Sequence, residues 1–407
     1  MALQSNCLNQ SSSEAFVPVS RSDQIPNFGN RTPRVLHIVE NLDRGAVEKW
    51  LIRMLEHAHK KREETDWSFY CILEQPGAME EKARALNACV LHSLVPISRK
   101  MSFTRMLRAE IQRGEYDVLH CHHDFVSAVY LLAAVGLPIR NRIVHVHNAD
   151  ENILTPSPWK QRLYREPMRR LCLSTADRIV GISNHTLDAF LAGRQRRQNK
   201  DSVHYYGVDA TPFENVRADR LDFRNRLGLP QNSRILLFAG RMVPEKNPVF
   251  AVEVLAELRR LQPDIVGVFV GAGSLVEATC RRAVELQVDP AFRYLGWRDD
   301  VPEIMCCSDL FILPHPEHPV EGFGFAIVEA QLAGLRMLLS RGILEDPLLP
   351  TASFRRLSLA SGARAWAEAG VELLHEFPPS RAAALAALRQ SPFDMDTALA
   401  DLVSLHQ

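Results

Sequence analysis

Short apolar runs of strand type recur along this chain, each followed by a segment whose apolar residues fall at helical spacing. The first series runs through residues 34–39 (RVLHIV), 67–73, 89–95, 116–120, 142–146, 178–182 and 203–206. The segments between read as helices, as in 101–111, where Phe103, Met106, Leu107 and Ile111 share one face. A second series follows at 235–239, 265–270, 310–313 and 336–340. Strands that are apolar throughout and separated by helices predict parallel sheets covered on both faces. The expectation is α/β architecture in two doubly wound domains. The loop after 34–39 carries Gly45 and Ala46 but no G-x-G-x-x-G, so it is not a dinucleotide fingerprint.

At 407 residues the chain is long enough for two full cores. Its 48 basic and 48 acidic residues cancel overall but not locally. From Arg34 to Asp201 there are 26 basic against 20 acidic side chains, and from Asp209 onward 20 against 26. A basic half and an acidic half fit two domains with different partners. Nucleic acid as the main ligand would favour a basic whole, and is excluded. The eight cysteines show no CxxC and lie mostly in apolar runs, as reduced core residues of a cytoplasmic protein do. Residues 1–32 are rich in Ser, Asn and Gln without an apolar core, and are expected to be a disordered extension rather than a secretory signal.

Chemistry concentrates in residues 314–334, PHPEHPVEGFGFAIVEAQLAG. An apolar run stops at Pro314, a loop follows with Gly322 and Gly324, and a helical pattern starts at about Ala326. Strand, glycine loop and helix together hold phosphates in α/β proteins, because the first helical amides are unpaired and the helix dipole favours negative charge there. Glu321 lies in this loop and Glu329 about one turn into the helix. A carboxylate is repelled by phosphate, so neutral sugar hydroxyls are its natural targets.

The pattern E-x7-E, with EGFG at one end and EAQ at the other, resembles the signature of family 4 glycosyltransferases of the GT-B fold. The resemblance extends over about 34–405. It implies two Rossmann-like domains facing a cleft: 33–208 on the acceptor side, 209–390 binding nucleotide-sugar, and a helix in 391–407 crossing back onto the first. In the family the first glutamate, here Glu321, contacts the transferred sugar, and the second, Glu329, the ribose. Gly240-Arg241 with Glu245-Lys246 matches G-R-x3-E-K, so Arg241 and Lys246 flank the diphosphate and do the charge work that a metal does elsewhere. The amides of Gly322, Phe323, Gly324 and Phe325 add to it. Gly271 forms another tight strand-to-helix turn, and Trp297 marks the nucleobase side. The Gly45–Ala46 loop is similar to R-G-G-x-E, which borders the donor phosphates, with Ala46 in place of the second glycine: its methyl crowds the phosphates if the amide must lie close to them, and the exchange is costly if that position needs φ > 0. Leu357-Ser358-Leu359 and Trp366-Ala367-Glu368 resemble the exopolysaccharide-type branch.

Histidines end two strands, as His120, His122 and His123 and as His145 and His147, where family members border the acceptor; His122 is the catalytic candidate. Backbone-satisfied strand-end histidines are an equal alternative. Zinc is set aside because His120 and His122 are taken to point to opposite faces. Basic residues at 159–170 and 194–200 serve either as a solvated helix face or as a docking patch for an anionic membrane. The resemblance implies a retaining, metal-independent transferase with no cofactor. It would use a UDP- or GDP-sugar donor and a saccharide or lipid-linked acceptor, in the cytoplasm or on the inner membrane face. The second reading is a catalytically weak nucleotide-sugar-binding scaffold in a polysaccharide-assembly complex.

Overall fold

The computed structural model describes residues 31–43, 45–148, 158–318 and 321–407, with the side chains of 158–162 left aside. The expected disordered extension, apart from Arg31 and Thr32, lies outside the described residues.

Two parallel sheets form. In the first, β1 (Arg34–Val39), β2 (Asp66–Cys71), β3 (Cys89–His92), β4 (Val118–Cys121), β5 (Asn141–Val146), β6 (Arg178–Gly181) and β7 (Asp201–Val203) lie in the order β3-β2-β1-β4-β5-β6-β7. The second holds β8 (Arg234–Ala239), β9 (Ile265–Val270), β10 (Phe292–Gly296), β11 (Leu310–Leu313), β12 (Arg336–Ser340) and β13 (Ser353–Leu357), in the order β10-β9-β8-β11-β12-β13. Each order reverses direction beside its first strand, so the loops after β1 and β4, and after β8 and β11, diverge and leave a crevice at the strand ends. Central strands are fully buried, which is why they read as unbroken apolar runs.

Two strand expectations need correction. The strand placed at 203–206 is Asp201–Val203, a short edge strand with little apolar pattern. Strand β13 shows no apolar run because it is a half-buried edge, with Arg355 and Arg356 in its middle.

The helix Met395–His406 starts on Asp394, whose carboxylate accepts from the amides of Asp396 and Thr397. It buries Leu399, Leu402 and Leu405 and packs on the helix Ala46–Lys61. Asp396 pairs with His57 at 2.6 Å and Lys61 at 2.7 Å, and the Leu405 carbonyl accepts from Asn141 Nδ2 at 2.8 Å. The chain therefore ends on the first sheet after building the second.

The basic run lies on the helix Pro158–Thr175, and much of its charge is already matched. Arg169, Arg170 and Arg194 all pair with Glu166, while Arg196 pairs with Asp188 and Arg197 with Asp201. No described helix is long and apolar enough to cross a membrane.

Gly271 shows how tightly the loops after β8 and β9 meet. Its φ is +136°, and a methyl built there would stand 1.8 Å from the Gly240 carbonyl oxygen. Gly240 itself has open space where a methyl would go. Gly271→Ala is therefore expected to cost at least about 1–3 kcal/mol, and Gly240→Ala no more than about 0.5 kcal/mol. Thermal melts of both variants check this; equal midpoints would refute it.

Candidate active site

On the second sheet, β8 runs into Gly240 and Arg241, then a single 3-10 turn, Pro244–Lys246. Asn247, at φ +49°, ends that turn and opens the helix Pro248–Leu261. The reversal carries Lys246 toward the loop after β11, the neighbouring strand. Its ammonium donates to Glu321 Oε2, and both side chains are more than four-fifths buried, at 16% and 17% exposed. His315 Nε2 lies 3.4 Å from the same oxygen. Burial alone would raise the Glu321 pKa; Lys246 first, then His315 and Arg241, outweigh it and hold the carboxyl below the usual range. The Glu321 amide donates to the Gly342 carbonyl at 3.0 Å, which fixes the loop.

Gly324, at φ +77°, caps the helix Phe325–Leu332. Beside it, Phe325 stacks on Tyr206 with centroids 5.0 Å apart, and Phe323 meets the same ring edge-on at 5.5 Å. A methyl at Gly322 would lie 3.1 Å from the His147 carbonyl oxygen, so this loop touches the end of β5. Glu329 faces elsewhere, toward Arg53 and Lys49 of the helix Ala46–Lys61. Burial raises its pKa, against the pull of those two cations. The Lys49 ammonium also sits 4.8 Å above the Trp297 ring.

Opposite lies a stack of imidazoles. His37 Nδ1 pairs with His122 Nε2 at 3.1 Å, His122 Nδ1 with His147 Nε2 at 3.0 Å, and His147 Nδ1 with the Tyr206 hydroxyl at 2.5 Å. A second row joins His406 Nε2 to His120 Nδ1 at 3.0 Å and His120 Nε2 to His145 Nδ1 at 3.2 Å. Burial depresses every one of these imidazoles, so they are neutral. The expectation that His120 and His122 face opposite sides was wrong. Residues two apart on a strand share a face, and their rings stack at 4.3 Å.

Two family models match the chain. One described as Glycosyltransferase Family 4 covers residues 48–212, and one described as Glycosyl transferases group 1 covers 219–343. The chain belongs to the family 4 glycosyltransferases. Among relatives, EpsF of Bacillus subtilis is 26% identical over 82% of this chain and 86% of its own length. A UDP-Gal:alpha-D-GlcNAc-diphosphoundecaprenol alpha-1,3-galactosyltransferase of Escherichia coli is 27% identical, over 64% of this chain and 67% of its own. Among solved structures, Anabaena HepE in complex with UDP superposes with a TM-score of 0.74 at 19% identity, covering 91% of this chain and 98% of that one. The fold is GT-B.

In this glycosyltransferase the tertiary structure unites Glu321, Lys246 and Arg241 in one group, with Gly322 to Phe325 beside it. It places Glu329 and Trp297 in a second group, around Lys49. His122 belongs to neither: it is 4% exposed, has both nitrogens engaged, and reaches the Glu321 loop only through His147 and Tyr206. Sequence reasoning missed His315, though it stands in the organising stretch, and Lys49 and Arg53, which no motif marks. Ala46 takes the first position of its helix, outside the left-handed region, so the absent glycine brings no strain there.

Gly45 caps that helix, and the Glu48 carboxylate folds back over it, the reach of a capping box. Burial, then repulsion from Glu40 and Asp43, pushes Glu48 up to about 7 against its own amide's pull. The folded protein keeps this proton where the unfolded chain has lost it, so Glu48 costs stability progressively between about pH 4.5 and 7. Glu48→Gln removes that cost. Its stability relative to wild type, read from the melting midpoint, should climb across this window and level off above it, by at most about 3 kcal/mol. A difference that stays flat from pH 4.5 to 8 in parallel melts would exclude the effect.

Proposed function

We propose that this chain transfers a sugar, with retention at the anomeric carbon, from a nucleotide donor to a saccharide or lipid-linked acceptor in polysaccharide or glycolipid synthesis. The observation that carries the reading is Glu321, ionised and buried against Lys246 and His315, in a glycine loop that opens a helix. A UDP-sugar is the favoured donor: HepE has been solved with UDP and with UDP-glucose, and the Escherichia coli relative is named for UDP-Gal. That relative's name also specifies a diphosphoundecaprenol acceptor, which supports a lipid-linked acceptor and work at the cytoplasmic membrane face.

The donor diphosphate would draw Lys246 away from Glu321 and take Arg241 and the first amides of the helix Phe325–Leu332 as further partners. Charge then builds on the diphosphate as the glycosidic bond breaks, where one well-aimed donor is worth about 3 kcal/mol. The departing phosphate oxygen takes the acceptor proton on the same face, so no protein carboxylate acts as nucleophile. Glu321, released from Lys246, is left beside the cationic anomeric carbon. Glu329 holds the ribose, a group unchanged through the reaction. The scaffold reading loses the argument from backbone strain at Ala46 and keeps the argument from crowding of the donor phosphates by its methyl.

Two results are expected. Glu321→Ala leaves UDP affinity in calorimetry within a few-fold of wild type and lowers turnover at saturating donor about 10²–10³-fold. Glu329→Ala weakens UDP and UDP-sugar alike, about tenfold or more. The opposite assignment, with UDP binding lost in Glu321→Ala and kept in Glu329→Ala, would overturn these roles. Since Arg241 and Lys246 supply the positive charge, adding magnesium or manganese should not change UDP affinity. A tenfold tightening by either ion would show that the diphosphate is held through a metal.

A further inference from the structure

The two imidazole rows include three side chains from distant parts of the chain: His37 on β1, His120 on β4, and His406 in the last turn of the helix Met395–His406. They are 0%, 0% and 2% exposed. Their ring centroids form a nearly equilateral triangle with sides of 5.1, 5.2 and 5.4 Å. Three imidazoles bound to one zinc ion at ordinary bond lengths and tetrahedral angles would have centroids about 5.3 Å apart. One nitrogen from each lies within 4.8 Å of the others, and the His120–His406 edge is already 3.0 Å. His37 Nε2 is buried without a hydrogen-bond partner, a bare position on the ring whose other nitrogen bonds His122.

We propose that His37, His120 and His406 bind a divalent cation of the zinc class, tying the crossing helix to the first sheet. Imidazole nitrogens suit such ions. The outer partners fit as well. A metal on His37 Nε2 leaves the proton on Nδ1, which donates to His122. A metal on His120 Nδ1 leaves the proton on Nε2, which donates to His145. The end of a helix favours positive charge, and His406 stands there. A second triad, His120, His122 and His145, shares His120, but a metal on either nitrogen of His122 would break one of its two imidazole bonds. The site is separate from the donor diphosphate, so it asks nothing of nucleotide binding.

Cobalt(II) titration of the untagged, chelator-treated full chain tests this through its visible absorption, which reports coordination. One equivalent should give strong tetrahedral bands, zinc should displace it, and zinc should raise the thermal midpoint. His406→Gln and His37→Ala should each weaken cobalt binding at least about a hundredfold, beyond the loss typical of an outer partner. No band and an unmoved midpoint in the wild-type chain would overturn the proposal even if the variants misfold. So would bands that survive both substitutions, or that survive His406→Gln and vanish in His145→Ala, which would assign the metal to the second triad.

Discussion

The ion pair between Lys246 and Glu321 is the constraint on which the crevice side of the second sheet depends. Each partner is mostly withdrawn from water, and either alone would be a buried charge costing several kcal/mol. Their meeting follows from the sheet: β8 and β11 are neighbours, so the loops at their ends share one corner of the crevice. Gly342 pins one loop and the 3-10 turn shapes the other. The pair itself is thus neutral and pre-arranged, with Arg241 close enough to act on the same carboxylate.

The crevice side of the first sheet is built from a different material. Its polar groups are imidazoles and a phenol, kept neutral by burial and bonded to one another, with His37 Nε2 and His145 Nε2 left without a hydrogen bond. Tyr206 is the joint between the two materials, hydrogen-bonded to His147 and stacked on Phe325. Such a contact is short-ranged and carries no net charge, so it resists salt and yields to separation of the faces. Lys49, reaching both Trp297 and the field of Glu329, supplies a charged contact across the same crevice. Movement between the sheets would change both together.

Repeated strand–helix alternation was enough to call two parallel sheets, because buried central strands must be apolar on both faces. The loops at strand ends were legible for the same reason, since glycines, prolines and charges interrupt apolar runs only there. Gly271 and Gly324 stand where close approach or positive φ leaves no other choice. The edge strand β3 was legible at 89–95, but the edge strand β13 was not: it is half-buried and carries two arginines, so nothing in its composition sets it apart from a loop.

What the sequence determined by itself was local: element types, the glycine-bearing loops, and the charged residue types that stand in those loops. It could not reveal which side chains meet across 75 residues, as Lys246 and Glu321 do, or across 286, as His120 and His406 do. Those pairings are decided by strand order and by where the final helix lands, and neither leaves a periodic trace in the chain. Charge states were decided there too. Glu48, Glu321 and Glu329 are the same residue type, yet one is pushed up to about 7, one is held down by a lysine, and one is raised by burial against two cations. The difference comes from what each carboxylate faces once the chain has folded, because ionisation responds to three-dimensional neighbours and to lost water rather than to sequence order.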